Sequence, residues 1–178
     1  LYSSAYRRLL KSKHDSTLIR IVDFIGVIPS ITGKVELVYE GEQEGPYNVA
    51  LNLFGSALKV EFLAIFPDPE KNLKKTEIDV YLPVKKWFSK GNSVEFWYND
   101  TDDVILEKLS AIDGLHDLVV EKIKNKNESI LLMEIVLHGL AELNIISREM
   151  LDDKISFNDA LADMFDDILN DDDSSLDF

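Results

Sequence analysis

The sequence predicts a mainly α-helical domain with a minor β element, a bundle around a buried central helix at about 46–66. Three observations lead there. Apolar residues recur at helical spacing along most of the chain. Strand-like alternation is confined to two short runs, 76–82 and 93–98. Prolines and glycines fall where helices would begin or end. The 178 residues suffice for one domain with a core, or two small lobes.

Ser3 to Lys13 reads as a short basic helix. Asp15 or Ser16 can cap a second, with Leu18, Ile19, Val22, Ile25 and Ile28 on one face and Pro29 at its end. The segment TGKVELVYEGEQEGP, 32–46, fits two patterns. Val35, Leu37 and Tyr39 alternate as in a strand, while Ile31, Val35 and Val38 fit a helix, the reading favoured here. Pro46 suits the first turn of a long helix. Tyr47, Leu51, Phe54, Leu58, Phe62 and Ile65 form one stripe of it, and Val49, Leu53, Ala57, Val60 and Ala64 fill most of the remaining circumference. A helix apolar nearly all round is expected to be buried. Pro67 and Pro69 stop it, and DPEKNLKK reads as an exposed linker.

TEIDVYL, 76–82, alternates as a strand; Pro83 then opens a short helix through Lys90, with Gly91 as its C-terminal cap. SVEFWY, 93–98, is the best strand in the chain. Thr101 caps a helix to Ser110 whose first turn carries Asp102 and Asp103, favourable to the helix dipole. Gly114 breaks it, and Leu115 to Lys124 forms another. Asn127 caps a long apolar helix from about Glu128 to Asn144, and Ser147 begins a short turn or helix. After a domain of residues 1–150, residues 151–178 read as an acidic amphipathic helix and disordered tail. Phe157, Leu161, Met164, Phe165, Ile168 and Leu169 fall on one face, with Asp159, Asp163, Asp166 and Asp167 largely on the other.

Composition excludes several chemistries. The chain has no cysteine, so disulfides and thiolate metal sites are absent and a reducing, cytoplasmic setting is expected. No secretory signal is visible, and Leu1 in place of Met is what a fragment or trimmed chain would show. Asn48, Asn52, Lys59 and Glu61 argue against a membrane span at 47–66. A net charge of −14 opposes nucleic-acid binding. The charge is uneven: Arg7, Arg8, Lys11, Lys13 and Arg20 cluster near one end, and ten aspartates lie in 152–178 against Lys154 alone. The two ends are expected to attract each other or to face different partners.

Thr32-Gly33-Lys34 resembles the end of a phosphate loop, but its spacing fails. Gly26 and Gly33 enclose six residues where four are needed, Val35 lacks the hydroxyl that reaches magnesium, and Pro29 removes an N–H. Glu36, Glu40, Glu42 and Glu44 have the oxygen chemistry of a hard-cation site, yet no EF-hand order appears, and a solvated loop is the plainer reading. Glu134, His138 and Glu142, four apart, share one helical stripe. Metal ligation there would need ligands from a second helix, so a polar edge on a packed helix is expected. His116 and Asp113 are separated by Gly114. There is no Gly-x-Ser-x-Gly elbow or cysteine nucleophile, and the expected cofactor set of this chain is empty.

IPSITGKVELVYEGEQEG, 28–45, resembles the segment that follows the ATPase core in magnesium-chelatase I-subunit-like, MoxR-related AAA+ ATPases. The shared residues are Thr32, Gly33, Lys34, Glu36, Leu37, Glu40, Gly41 and Glu42. WFSKGNSVEF (87–96), LSAIDGLHDLV (109–119) and LLMEIVLHGLAELNIISRE (131–149) are similar in a less specific way, and together the likeness covers about 18–149. The resemblance implies a helical C-terminal domain of an ATP-driven ring, commonly a hexamer, with 1–28 as the remainder of the AAA+ lid. It implies ATP and magnesium for the whole protein, and protein partners, often with von Willebrand A domains. No Walker motif or arginine finger can be placed in 1–178, so no ATPase residue carries over. Lys34, Glu36, Glu40 and Glu42 are the candidate partner-binding residues. A stand-alone acidic interaction module is the alternative reading, and a metal-dependent enzyme a third.

Overall fold

The computed structural model describes residues 1–12, 18–32, 41–71, 78–123, 128–151 and 153–160, with the backbone alone at 12 and 41–44. It is mainly helical with a small antiparallel sheet, the fold class the sequence predicts. The elements are α1 (Tyr2–Ser12), α2 (Ile21–Ile25), α3 (Ile28–Thr32), α4 (Gly41–Ile65), α5 (Leu82–Ser89), β1 (Val94–Trp97), α6 (Asp102–Ser110), α7 (Leu115–Val120), α8 (Ser129–Glu142), β2 (Ser147–Met150) and β3 (Lys154–Asn158).

The centre is α8 rather than the 46–66 helix. Met133, Val136, Leu137 and Leu140 are fully buried, and α8 packs against α2, α4, α6, α7 and β2. The α4 helix crosses it on one side only. Ala50, Leu58 and Phe62 point inward, whereas Leu53 is 63% and Val60 65% exposed. Apolarity all round therefore reflects two unlike faces, only one of which meets the core. By length and composition, Gly45–Ile65 is also apolar enough to cross a membrane. Gly45, at φ 75°, breaks α4 into a short opening turn and the long piece that Pro46 begins.

The crossing of α4 over α8 depends on Gly139. A Cβ there would strike the Cβ and ring of Phe62, which is fully buried, stacks on Phe66 at 5.6 Å and meets the tilted ring of Tyr81 at 5.8 Å. At the other end of α8, Asn144 takes the left-handed conformation, φ 54°, and the Ile145 N–H donates back to Leu140 O at 2.9 Å. This closes the helix and turns the chain into the sheet.

The expected starts of the shorter helices are largely present. Thr101 Oγ1 accepts from the Val104 N–H at 3.3 Å and opens α6. Pro83 lies in the first turn of α5, and Gly91, φ 81°, follows its end. Asn127, the expected cap of α8, lies outside the described residues. The strand expected at 76–82 is absent in its described part. Asp79 accepts from the Tyr81 N–H at 3.0 Å and pairs with Lys85 at 2.9 Å, forming a turn that launches α5 at Leu82. The alternation of Ile78, Val80 and Leu82 marks exposed positions instead, at 86%, 38% and 42%.

The strand expected at 93–98 is β1, but its partners were not foreseen. The sheet order is β1-β3-β2, antiparallel throughout, with Val94 opposite Phe157 and Phe96 opposite Ile155. On the other side Arg148 lies opposite Phe157 and Met150 opposite Ile155. Ser147 thus begins a strand instead of a turn or helix. Phe157, expected on the helical face of the tail, is a fully buried strand residue beside Phe96. Lys-Ile-Ser-Phe-Asn alternates with period two, and the sheet uses that period. From Leu161 onward the amphipathic stretch lies outside the described residues.

Candidate functional site

The stripe Glu134, His138 and Glu142 is held by arginines. Arg20 ends the segment before α2 and is 1% exposed. Its Nε donates to Glu134 Oε1 at 3.0 Å, and the Ile21 N–H donates to Glu134 Oε2 at 2.9 Å. Both carboxylate oxygens of Glu134 are therefore occupied, and the start of α2 is tied to α8. One turn further along α8, Arg148 of β2 donates to His138 Nδ1 at 3.0 Å; two turns along, it donates to Glu142 Oε1 at 2.7 Å. An arginine can only donate, so Nδ1 is the acceptor and the ring proton sits on Nε2. These contacts account for the stripe without metal, and among the described residues no group of three or more potential ligands converges.

His138 is a buried, neutral imidazole. Burial first, then the fields of Arg148 and Arg20, hold it well below the ordinary 6.5. In the unfolded chain the ring takes up a proton near pH 6.5 that the folded chain refuses. Its contribution to stability is thus full above about pH 6.5 and is lost as pH falls toward the depressed folded value, by at most about 1.4 kcal/mol per pH unit. We expect the urea midpoint of the wild type to fall further between pH 7.5 and 5.5 than that of His138→Asn, whose amide oxygen can still accept from Arg148. Equal declines in the two proteins would remove this assignment.

A second cluster joins α1, α2 and α6. Arg8, 6% exposed, donates to Asp23 Oδ2 at 2.9 Å, to Asp102 Oδ1 at 3.1 Å and to the Leu18 carbonyl. Asp23 also accepts from the Arg20 N–H at 2.9 Å, and Asp102 from the Leu18 N–H at 2.8 Å. Burial disfavours the Arg8 guanidinium, but bonding to Asp23, and then Asp102, outweighs it and raises its pKa above the ordinary value. Arg8 and Arg20, two members of the basic cluster near the N-terminal end, are thus turned inward. Arg7 and Lys11 stay exposed at the mouth of a cavity of about 230 Å³ that Tyr47 and Tyr98 also line.

Of the candidate partner-binding residues, Lys34, Glu36 and Glu40 lie outside the described residues, and Glu42 is described by its backbone alone. The described residues do form an apolar surface, on α2, α4 and α8. Phe24 of α2 stacks on Phe54 of α4 at 5.8 Å. With Ile21, Ala57, Leu131 and Ile135 they line a groove of about 290 Å³ whose walls are almost wholly apolar. No side chain in the described clusters is placed as a nucleophile beside a base. The arrangement clasps helices and leaves an apolar groove between α2, α4 and α8. Sequence reasoning missed Arg8, Arg20, Asp23 and Arg148. Arg20 and Asp23 had a signal, an arginine and an aspartate set three apart among aliphatics in LIRIVDFI; Arg8 and Arg148 had none of that kind. No family model, curated protein or solved structure matches this chain.

Proposed function

We propose that this chain is a non-catalytic C-terminal domain of an AAA+ ATPase resembling the I subunit of magnesium chelatase, and that it serves ring assembly or coupling to a protein partner. The observation that carries this reading is the segment 28–45, with its shared Thr32, Gly33, Lys34, Glu36, Leu37, Glu40, Gly41 and Glu42, leading directly into α4. Helices α3 and α4, which flank the charged stretch, pack against each other. A charged segment anchored at both ends by packed helices can exchange partners when neighbouring subunits move. ATP and magnesium would belong to an upstream core, the partner would be a neighbouring subunit or a von Willebrand A domain protein, and the lack of cysteine accords with the cytoplasm.

Reversing the charges of Lys34 and Glu40 in the polypeptide that includes the ATPase core is expected to weaken ring assembly or partner coupling. Unchanged ring formation, partner binding and ATP turnover would sink the reading. The second reading, a stand-alone acidic interaction module, is favoured by the exposed apolar side of α4. A Gly-x-x-x-x-Gly-Lys-Ser/Thr motif upstream in the same reading frame separates the two.

A further inference from the structure

We propose that the cavity lined by α1, α2, Tyr47 and Tyr98 binds a small phosphate monoester that carries a planar ring. Ser4, Arg7 and Lys11 follow one another at intervals of three and four residues, so they share one face of α1. That face lines the cavity of about 230 Å³ together with α2 and the two tyrosines. Gly26 lets α2 come close to it, since a Cβ there would strike the Ser4 hydroxyl. The volume lies below the roughly 300–1,000 Å³ usual for drug-sized ligands, so the occupant is small.

Charge selects an anion. Arg8 and Asp23 also line the cavity, but they neutralise each other at 2.9 Å. Arg7 and Lys11 are exposed and have no ion pair among the described residues, in a chain with 33 acidic residues. Two uncompensated cations match a dianion. A phosphate monoester carries about −1.5 to −2 charges near pH 7 and three acceptor oxygens, whereas a carboxylate carries a single charge. The arginine fork can take two of those oxygens and the lysine the third. The tyrosines select what the phosphate carries. The Tyr98 hydroxyl is committed to the Leu151 carbonyl at 2.9 Å, which fixes that ring, and Tyr47 is 45% exposed. Aromatic rings in a small cavity favour a planar ring over an aliphatic chain. A long polyanion is opposed by the net charge of −14. The acidic stretch 161–178 is the rival occupant within this chain, but it offers only singly charged carboxylates. The site uses no residue of 28–45, so it stands or falls apart from the ATPase reading.

Phenyl phosphate titrated into the full chain should bind saturably and shift the amide NMR signals of Arg7, Lys11 and Tyr47 together. It should bind on the order of tenfold tighter than benzoate, and several-fold tighter than inorganic phosphate. Arg7→Gln and Lys11→Gln, exposed changes whose fold circular dichroism checks, should each weaken phenyl phosphate on the order of tenfold. Arg7→Lys, which keeps the charge but loses the fork, should weaken it less. Tyr47→Ala should erase the advantage of phenyl phosphate over inorganic phosphate. The proposal is overturned if phenyl phosphate shows no saturable binding up to millimolar concentration, if benzoate or inorganic phosphate binds as well, or if both glutamine variants bind like the wild type. It is equally overturned if binding begins only once Asp171, Asp172 and Asp173 are all changed to Asn, which assigns the cavity to the acidic end of the chain. Binding to phosphatidic acid vesicles without binding to phenyl phosphate overturns it too.

Discussion

Replacing Arg20 with Met should destabilise the fold by about 3–5 kcal/mol, enough to unfold a marginal domain. The guanidinium and Glu134 are both almost completely buried, at 1% and 3% exposure. Removing Arg20 strands a carboxylate in the interior beside the fully buried Met133 and Leu137. The reverse change, Glu134→Leu, strands a guanidinium and also leaves the Ile21 N–H without the acceptor it now has at 2.9 Å. The double variant Arg20→Met, Glu134→Leu should recover most of the loss, because exchanging a buried pair for apolar groups is often near neutral. Urea unfolding of the four proteins closes the cycle. Losses that simply add would show that the two residues do not act as a pair.

Phe62→Ala should cost about 3–5 kcal/mol, the usual range for emptying a buried aromatic site. The ring is fully buried, stacks on Phe66, meets Tyr81 at a tilt, and lies against the notch left by Gly139. Gly139→Ala tests the same contact from the opposite helix. Its methyl meets Phe62 close to the backbone, so α4 must shift, at about 1–3 kcal/mol. A gain of up to about 1 kcal/mol in helix propensity offsets only part of this. In the double variant the methyl enters space vacated by the ring, and the total should be less than the sum. A Gly139→Ala chain as stable as wild type would mean that α4 and α8 do not need the notch.

The helical elements were legible where local chemistry sets them. Thr101, Pro83 and the stripe of α8 are readable because a cap, a fixed φ and a 3.6-residue period act within a few neighbours. The centre of the fold was misread because α4 and α8 are both apolar, and burial depends on what surrounds a helix. Val80 and Leu82 alternate as in a strand, but the Asp79 carboxylate satisfies the Tyr81 N–H locally and a helix follows. Strand β2, Ser-Arg-Glu-Met, carries no apolar alternation at all; it exists because β3 offers it a ladder. The stripe Glu134, His138 and Glu142 was found by spacing. What holds it, Arg20 and Arg148, lies 114 and 10 residues from its first partner in sequence and emerges only from packing. The candidate residues of 34–42 came from resemblance, which describes a segment without placing its side chains.

The strand order also sets a timetable for synthesis. Strands β1 and β2 flank β3 and do not pair with each other, so the strand that joins them is the last to be made. From Val94 to Lys154 a ribosome adding about 5–20 residues per second needs about 3–12 s. During that interval the apolar side of β1, Val94 and Phe96, has no ladder to enter, while the helices can already form through near neighbours. The nascent chain is therefore most exposed to misassociation just before its final described strand arrives. Holding synthesis short of Lys154 should leave a helical but aggregation-prone intermediate, and extending it through Asn158 should clear that state.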